Sequence, residues 1–231
     1  NSAIFSVIDG VLLHPLPFPQ ADRLTMVWAS APQHPGDDHQ VHSYPDYLDL
    51  RARNHTFSAL SAYTTTSAIW GTGEDSEDVP GLAATADIFD VVQVRPLLGR
   101  GFSREDEKPG APRVVVLSYE FWQRRFAGAA NVLGQQVTIA NRVHTITGVM
   151  PPGWKFPVQR EAINYVTPLL PLFSGSDDSI MRRGAHFLFV TGRLKPGVDL
   201  RNATTDLRTI AAQLARLLGG LLLQRDRLVR R

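Results

Sequence analysis

The run Val114-Val-Val-Leu-Ser-Tyr-Glu-Phe-Trp-Gln-Arg-Arg-Phe126 constrains the fold more than any other stretch of the chain. Four uninterrupted apolar residues, Val114 to Leu117, predict a buried strand. Ser118 is a good N-cap and opens a short helix that turns Phe121, Trp122 and Phe126 toward a core. Gly128 ends the helix, because a residue without a Cβ enters the left-handed conformation cheaply. Beyond Gly134 the sequence alternates through Val137 and Ile139, turns at Asn141-Arg142 and returns through Val143 to Val149, the pattern of a β-hairpin. The middle third is therefore a strand–helix–hairpin unit with its own aromatic cluster, and the rest of the chain flanks it.

The flanks have patterns of their own. Arg23 to Ser30 alternates, with Leu24, Met26 and Trp28 on one face of a half-buried strand. Ser43 to Arg53 reads as a helix: Ser43 caps it, Pro45 fits the first turn and Asp46 completes a capping-box spacing. Ser61 to Gly71 and Val79 to Thr85 read as strands, separated by a solvated acidic turn. Ile163 to Leu172 carries Pro168 and Pro171 and reads as an edge strand or extended segment. His186 to Leu194 alternates as a sheet strand. Asp199 then caps the strongest helix, in which Leu200, Ala203, Leu207, Ile210, Ala211 and Leu214 follow a three–four spacing. The sum is an α+β chain of strand–helix units with an inserted smaller α/β unit.

Several chemistries find no residues. The chain has no cysteine, so disulfides, thiolate nucleophiles and cysteine-held metals are excluded. With 24 Lys+Arg against 22 Asp+Glu, the net charge of +2 leaves no nucleic-acid footprint. There is no G-x-S-x-G elbow, H-E-x-x-H pair or P-loop. His186 and the Glu105–Glu107 cluster are the best hydrolase candidates, and nothing sets either in a catalytic constellation. The loop with His34, Asp37, Asp38, His39 and His42 has suitable metal donors, but its spacing matches no helical ligand motif and the solvated reading prevails. No cofactor is expected.

The ordered set of motifs Ala84 to Phe102 (ATADIFDVVQVRPLLGRGF), Val115-Val-Leu-Ser-Tyr-Glu-Phe-Trp122 and Thr147-Gly-Val-Met-Pro-Pro-Gly-Trp154 resembles the MacB-like periplasmic core domain of MacB/FtsX-type ABC permeases. Val11-Leu-Leu-His-Pro-Leu-Pro-Phe18 and Arg193-Leu-Lys-Pro-Gly-Val198 extend the likeness, whose wording is closest to the duplicated orphan permeases. The resemblance implies a two-layer porter-like subdomain, residues 20–81 and 166–216, interrupted by a smaller Sabre-like insert, residues 82–165. The apolar segment Ala3 to Leu13 reads either as a buried N-terminal helix or as the outer end of a transmembrane helix. The resemblance favours the second and makes residues 1–19 that helix end and a stalk.

Residues 217–231 depart from the family, where a returning strand is expected. A longer helix with a basic end, a chain boundary and a shifted reading frame all remain open there. The implied function is non-catalytic: a periplasmic segment of a bacterial inner-membrane permease. It would pass ATP-driven helix motion outward for efflux or for substrate or lipoprotein handling. Its ATPase would be a separate cytoplasmic subunit or domain, and a periplasmic adaptor or lipoprotein its candidate partner. The alternative is a docking module that binds an adaptor without transmitting force. Pro15, Pro17 and Pro19 are candidate stalk stiffeners. Trp154 and Phe156, in a proline-dense connector, are either a partner contact or rings packed under the loop.

Overall fold

A computed structural model describes residues 4–8, 18–30, 39–157, 162–173 and 178–229. The described chain begins with β1 (Ile4–Ile8), β2 (Leu24–Ser30), α1 (Tyr44–Arg53), β3 (Phe57–Trp70), β4 (Glu77–Ala84), α2 (Ile88–Val92) and β5 (Leu98–Gly99). It continues with β6 (Val114–Leu117), α3 (Tyr119–Phe126), β7 (Gln136–Ile139), β8 (Arg142–Val149), β9 (Tyr165–Pro168), β10 (Phe189–Leu194) and α4 (Leu200–Val229). Strands and four helices thus make the mixed α/β fold expected. They form two units. One gathers β1, Asp22–Leu60 and the chain from Met181 onward; the other is Ser61–Ile180 with the short stretch ending at Ala21. The boundaries at 82 and 165 taken from the sequence both fall inside the second unit.

In the first unit, β2 lies between β1 and β10, antiparallel to both, and β10 is followed by the opening residues of β3. The segment Ile-Phe-Ser-Val-Ile of β1 is a strand rather than part of either helix considered for it, as its β-branched content favours. In β2 the buried face is Thr25, Val27 and Ala29, while the face of Leu24, Met26 and Trp28 is only partly covered. Thr25 stays inside at little cost, since its own hydroxyl donates to the Met26 carbonyl at 3.2 Å. Helix α1 starts as its sequence dictates: the Ser43 hydroxyl accepts from the Asp46 N–H and donates to the Asp46 carboxylate at 2.6 Å. Tyr47 and Leu50 bury fully beneath it, with the Tyr47 hydroxyl donating to the Leu60 carbonyl. Helix α4 buries Ala203, Leu207, Ile210, Ala211 and Leu214, the expected stripe, and its backbone continues helical to Val229.

In the second unit the strands close into a ring. β3 pairs with β4, β4 with β9, β9 with β6, β6 with β8, β8 with β7, and β7 returns to β3 through Ile139 and Trp70. β5 adds to the outside of β8. Since β9 sits between β4 and β6, it is interior and not an edge. It tolerates Pro168 because that residue is its last and Pro171 lies beyond. The ring is filled by Trp70, Leu117, Phe121, Ile139, Ile146 and Tyr165, among others. Trp70 meets Phe121 edge-on at 4.8 Å and Tyr165 at 5.7 Å.

Ser118 caps α3 by accepting from the Phe121 N–H, and the helix ends at Ala127, which takes the left-handed conformation one residue before Gly128 does the same. The hairpin loop is Ala140-Asn141, one residue earlier than the sequence suggested. Ile139 faces Arg142, and both loop residues have positive φ, as a two-residue type I′ turn requires. Gly81 is irreplaceable for packing reasons: the Tyr165 ring lies 2.2 Å from where a Cβ would stand.

Candidate functional site

The places that fix the domain's terminal elements are its best-defined polar junctions among the described residues. Helix α4 is held at two points. Its start is capped by Asp199, whose carboxylate accepts from the Asn202 N–H at 2.7 Å. About two turns later, Asp206 accepts three hydrogen bonds from the turn between α1 and β3: the His55 N–H at 2.8 Å, the His55 ring Nδ1 at 3.2 Å and the Thr56 hydroxyl at 3.1 Å. Partial burial would raise the Asp206 carboxyl, but these donors outweigh it and hold it below the usual carboxylate range. The same turn is tied to the strand before α4, because Lys195 donates through Nζ to the His55 carbonyl and through its N–H to the Thr56 carbonyl. Helix α4, β10 and the α1–β3 turn therefore share one polar junction. The helix also runs beside β1, so both terminal elements of the described chain meet in this unit.

A second junction fixes α1. Arg183 spreads its guanidinium across two carboxylates one turn apart, Asp46 at 2.9 Å and Asp49 at 2.6 Å. Nothing in the sequence around Arg183, a polar loop, pointed to α1; the contact spans more than 130 residues. Asp206 was legible only as a member of the polar face of α4.

The other candidates separate. Pro15 and Pro17 lie outside the described residues, and Pro19 is exposed in a turn. Trp154 and Phe156 are 8% and 7% exposed. Phe156 packs edge-on against Tyr63 at 5.1 Å and Phe18 at 6.1 Å, so these rings take the packing role of the two foreseen rather than forming an exposed patch. Of the histidine loop, His34, Asp37 and Asp38 lie outside the described residues. His39 stands against the Trp28 ring, while His42 is buried and donates from Nε2 to the Val27 carbonyl. Among the described residues no three metal-ligating side chains come together. His186 reaches only toward Asp46, at 3.7 Å, and Glu105 pairs with Lys108.

Against this geometry stands one match that decides the family. The model of the MacB-like periplasmic core domain covers residues 1–210. The chain belongs to that family. It is thus a periplasmic domain of a MacB-like ABC permease, in a family that is generally non-catalytic and whose permeases work with ATPase subunits. The periplasmic region of MacB from Actinobacillus actinomycetemcomitans is 20% identical, matches 85% of this chain and 84% of its own, and superposes with a TM-score of 0.59. The extracellular domain of YknZ, a noncanonic ABC-type transporter from Gram-positive bacteria, is 14% identical over 85% of this chain and 95% of its own, with a TM-score of 0.55. At such identities these likenesses establish the MacB-like fold. No curated protein matches the chain. Among the described residues no helix is long and apolar enough to cross a membrane.

Proposed function

We propose that this MacB-like domain is a stiff periplasmic body that carries ATP-driven movement of flanking membrane helices outward, for efflux or for handling a substrate or lipoprotein. The observation that carries the reading is the meeting of β1 and α4 in one unit, with α4 pinned through Asp206 to the α1–β3 turn. A displacement entering through either terminal element is then delivered to a packed sheet rather than dissipated in a loop. The ATPase acts from the cytoplasm, and a periplasmic adaptor or lipoprotein receives the motion. Pro15, Pro17 and Pro19 serve as stiffeners of the first connection, since each fixes its own φ. Replacing all three by glycine in the full permease, assayed with its ATPase, should leave ATP hydrolysis in place and lower transport several-fold. Transport at the unaltered rate would remove the lever and leave a docking module.

A further inference from the structure

The ring of strands in the second unit is packed differently at its two ends. At the end where β6 runs into α3, its inner face is apolar: Trp70, Leu117 and Phe121 meet there. At the other end the same inner face turns polar. Along β8 the residues alternate inward from Ile146 to His144 to Arg142, and along β9 from Tyr165 to Thr167. On the strand-six side Arg113 precedes the buried run that starts at Val114. Here a cleft of about 270 Å³ opens, lined by Arg113, Arg142, His144, Tyr165 and Thr167, with Ile139, Ala68, Pro168 and Leu172 supplying apolar wall. Mouths of small barrels are habitual ligand sites, and a volume of this size suits a small molecule.

The polar groups of the cleft have one sign. Arg142 has no carboxylate partner among the described residues; its guanidinium reaches only the Pro171 and Leu172 carbonyls, both at 3.4 Å. Asp78 is the acid on the neighbouring strand, and it is engaged by the Ser67 hydroxyl. None of the residues lining the cleft is an acid. Thr167 is 3% exposed, and its hydroxyl has no hydrogen-bond partner, which costs free energy unless something else meets it. The His144 ring, 5% exposed, bonds through Nδ1 to the Arg142 carbonyl. A carbonyl can only accept, so Nδ1 carries the proton and Nε2 is left as an acceptor. Burial first, with Arg113 and Arg142 adding to it against that bond, holds the imidazole below its ordinary pKa and therefore neutral.

We infer that this cleft binds a small organic anion, with a carboxylate head between Arg142, Arg113 and the Thr167 hydroxyl and an apolar body against Ile139, Ala68 and Leu172. The planar fork of Arg142 fits a carboxylate, and the unmet Thr167 hydroxyl supplies a neutral donor beside it. Burial is the main cause that keeps the His144 ring neutral and the two arginines are smaller ones; a bound carboxylate opposes the arginines and so moves the His144 pKa upward. Tyr165 and Asp78 are the other titratable groups near the cleft; burial, with Asp78 adding to it, raises the Tyr165 phenol to about 12, so that group stays protonated and does not compete.

Titration of the intact chain with sodium octanoate, followed by calorimetry and by NMR of the His144 ring, tests the assignment. Saturable one-site binding is expected, weakened about tenfold or more in Arg142→Gln, partly rescued in Arg142→Lys, and weakened several-fold in Thr167→Val. The His144 pKa should rise on saturation. No saturable binding, or binding unchanged in both Arg142→Gln and Thr167→Val, overturns the site. Inorganic phosphate binding as tightly as octanoate overturns its organic, amphipathic character. Arg142 is exposed, so its variants read the site without threatening the fold. The inference is independent of force transmission, and the isolated chain suffices to test it.

Discussion

His42 shows how much one buried ring can demand. Its Nε2–H bond to the Val27 carbonyl and the backbone bonds of its own N–H and C=O stitch the strand-two region to Leu188. Burial pushes its pKa down to about 4, against small opposing contributions from the Val27 carbonyl and Asp46 and a small reinforcing one from His186. In the unfolded chain the same ring titrates near 6.5. As pH falls from about 6.5 to about 4 the unfolded state takes up a proton that the native state refuses, so stability rises with pH across that window and is lost on acidification. The loss attributable to His42 is about 3 kcal/mol. Thermal melts of the wild-type chain should therefore decline from pH 6.5 to pH 4, and His42→Gln should flatten most of the slope. His144, lowered chiefly by burial as well, contributes with the same sign. Equal slopes in both proteins would refute the assignment. Asp206 contributes with the same sign but lower down: its stabilisation is complete above the unfolded carboxyl pKa of about 4 and disappears as pH drops through the depressed native value.

At the scale of elements, α4 is the informative case. Its apolar stripe accounts for burial along one face, while Asp206 supplies the directional bonds that fix it on the α1–β3 turn. Asp206→Ala leaves the buried stripe intact and strands the His55 N–H and Thr56 hydroxyl. It should cost about 1–3 kcal/mol by denaturant melts and accelerate amide exchange at His55 before it does so at β2. Unchanged exchange at the turn would show that the bonds carry no weight.

Elements of this kind also separate what was legible in the residues from what was not. The caps at Ser43 and Ser118 and the stripe of α4 were readable because each is decided within a few residues. The buried face of β2 was not, because alternation defines two faces without saying which is inside, and Leu24, Met26 and Trp28 are larger than Thr25, Val27 and Ala29. The position of β9 was misjudged because Pro168 and Pro171 suggest an edge, and only the pairings with β4 and β6 reveal that the prolines fall at and beyond its end. Arg142, read only as a turn residue, and His144 and Thr167 were not legible as members of one cleft for the same reason. They come together only when the ring closes through pairs distant in sequence, which no local pattern encodes.

Over the whole molecule, the chain divides into two units with buried residues in each. Phe121 lies at the heart of one, fully buried against Trp70, whereas Val27, Tyr47 and Leu50 belong to the other. Phe121→Ala removes the ring without disturbing the Ser118 cap and should cost about 3–5 kcal/mol. Hydrogen exchange should then lose protection along β6, β8 and β9 while β2 and β10 retain most of theirs. Uniform loss across both units would show a single cooperative core instead.

The interior place of β9 has a consequence for synthesis on the ribosome. Until residues 165–168 leave the exit tunnel, β4 and β6 each expose an open edge that only β9 can occupy. Such edges are templates for pairing with other chains. A nascent polypeptide halted anywhere between Leu117 and Tyr165 is therefore sticky, and completion of the second unit is timed by its last strand rather than its first.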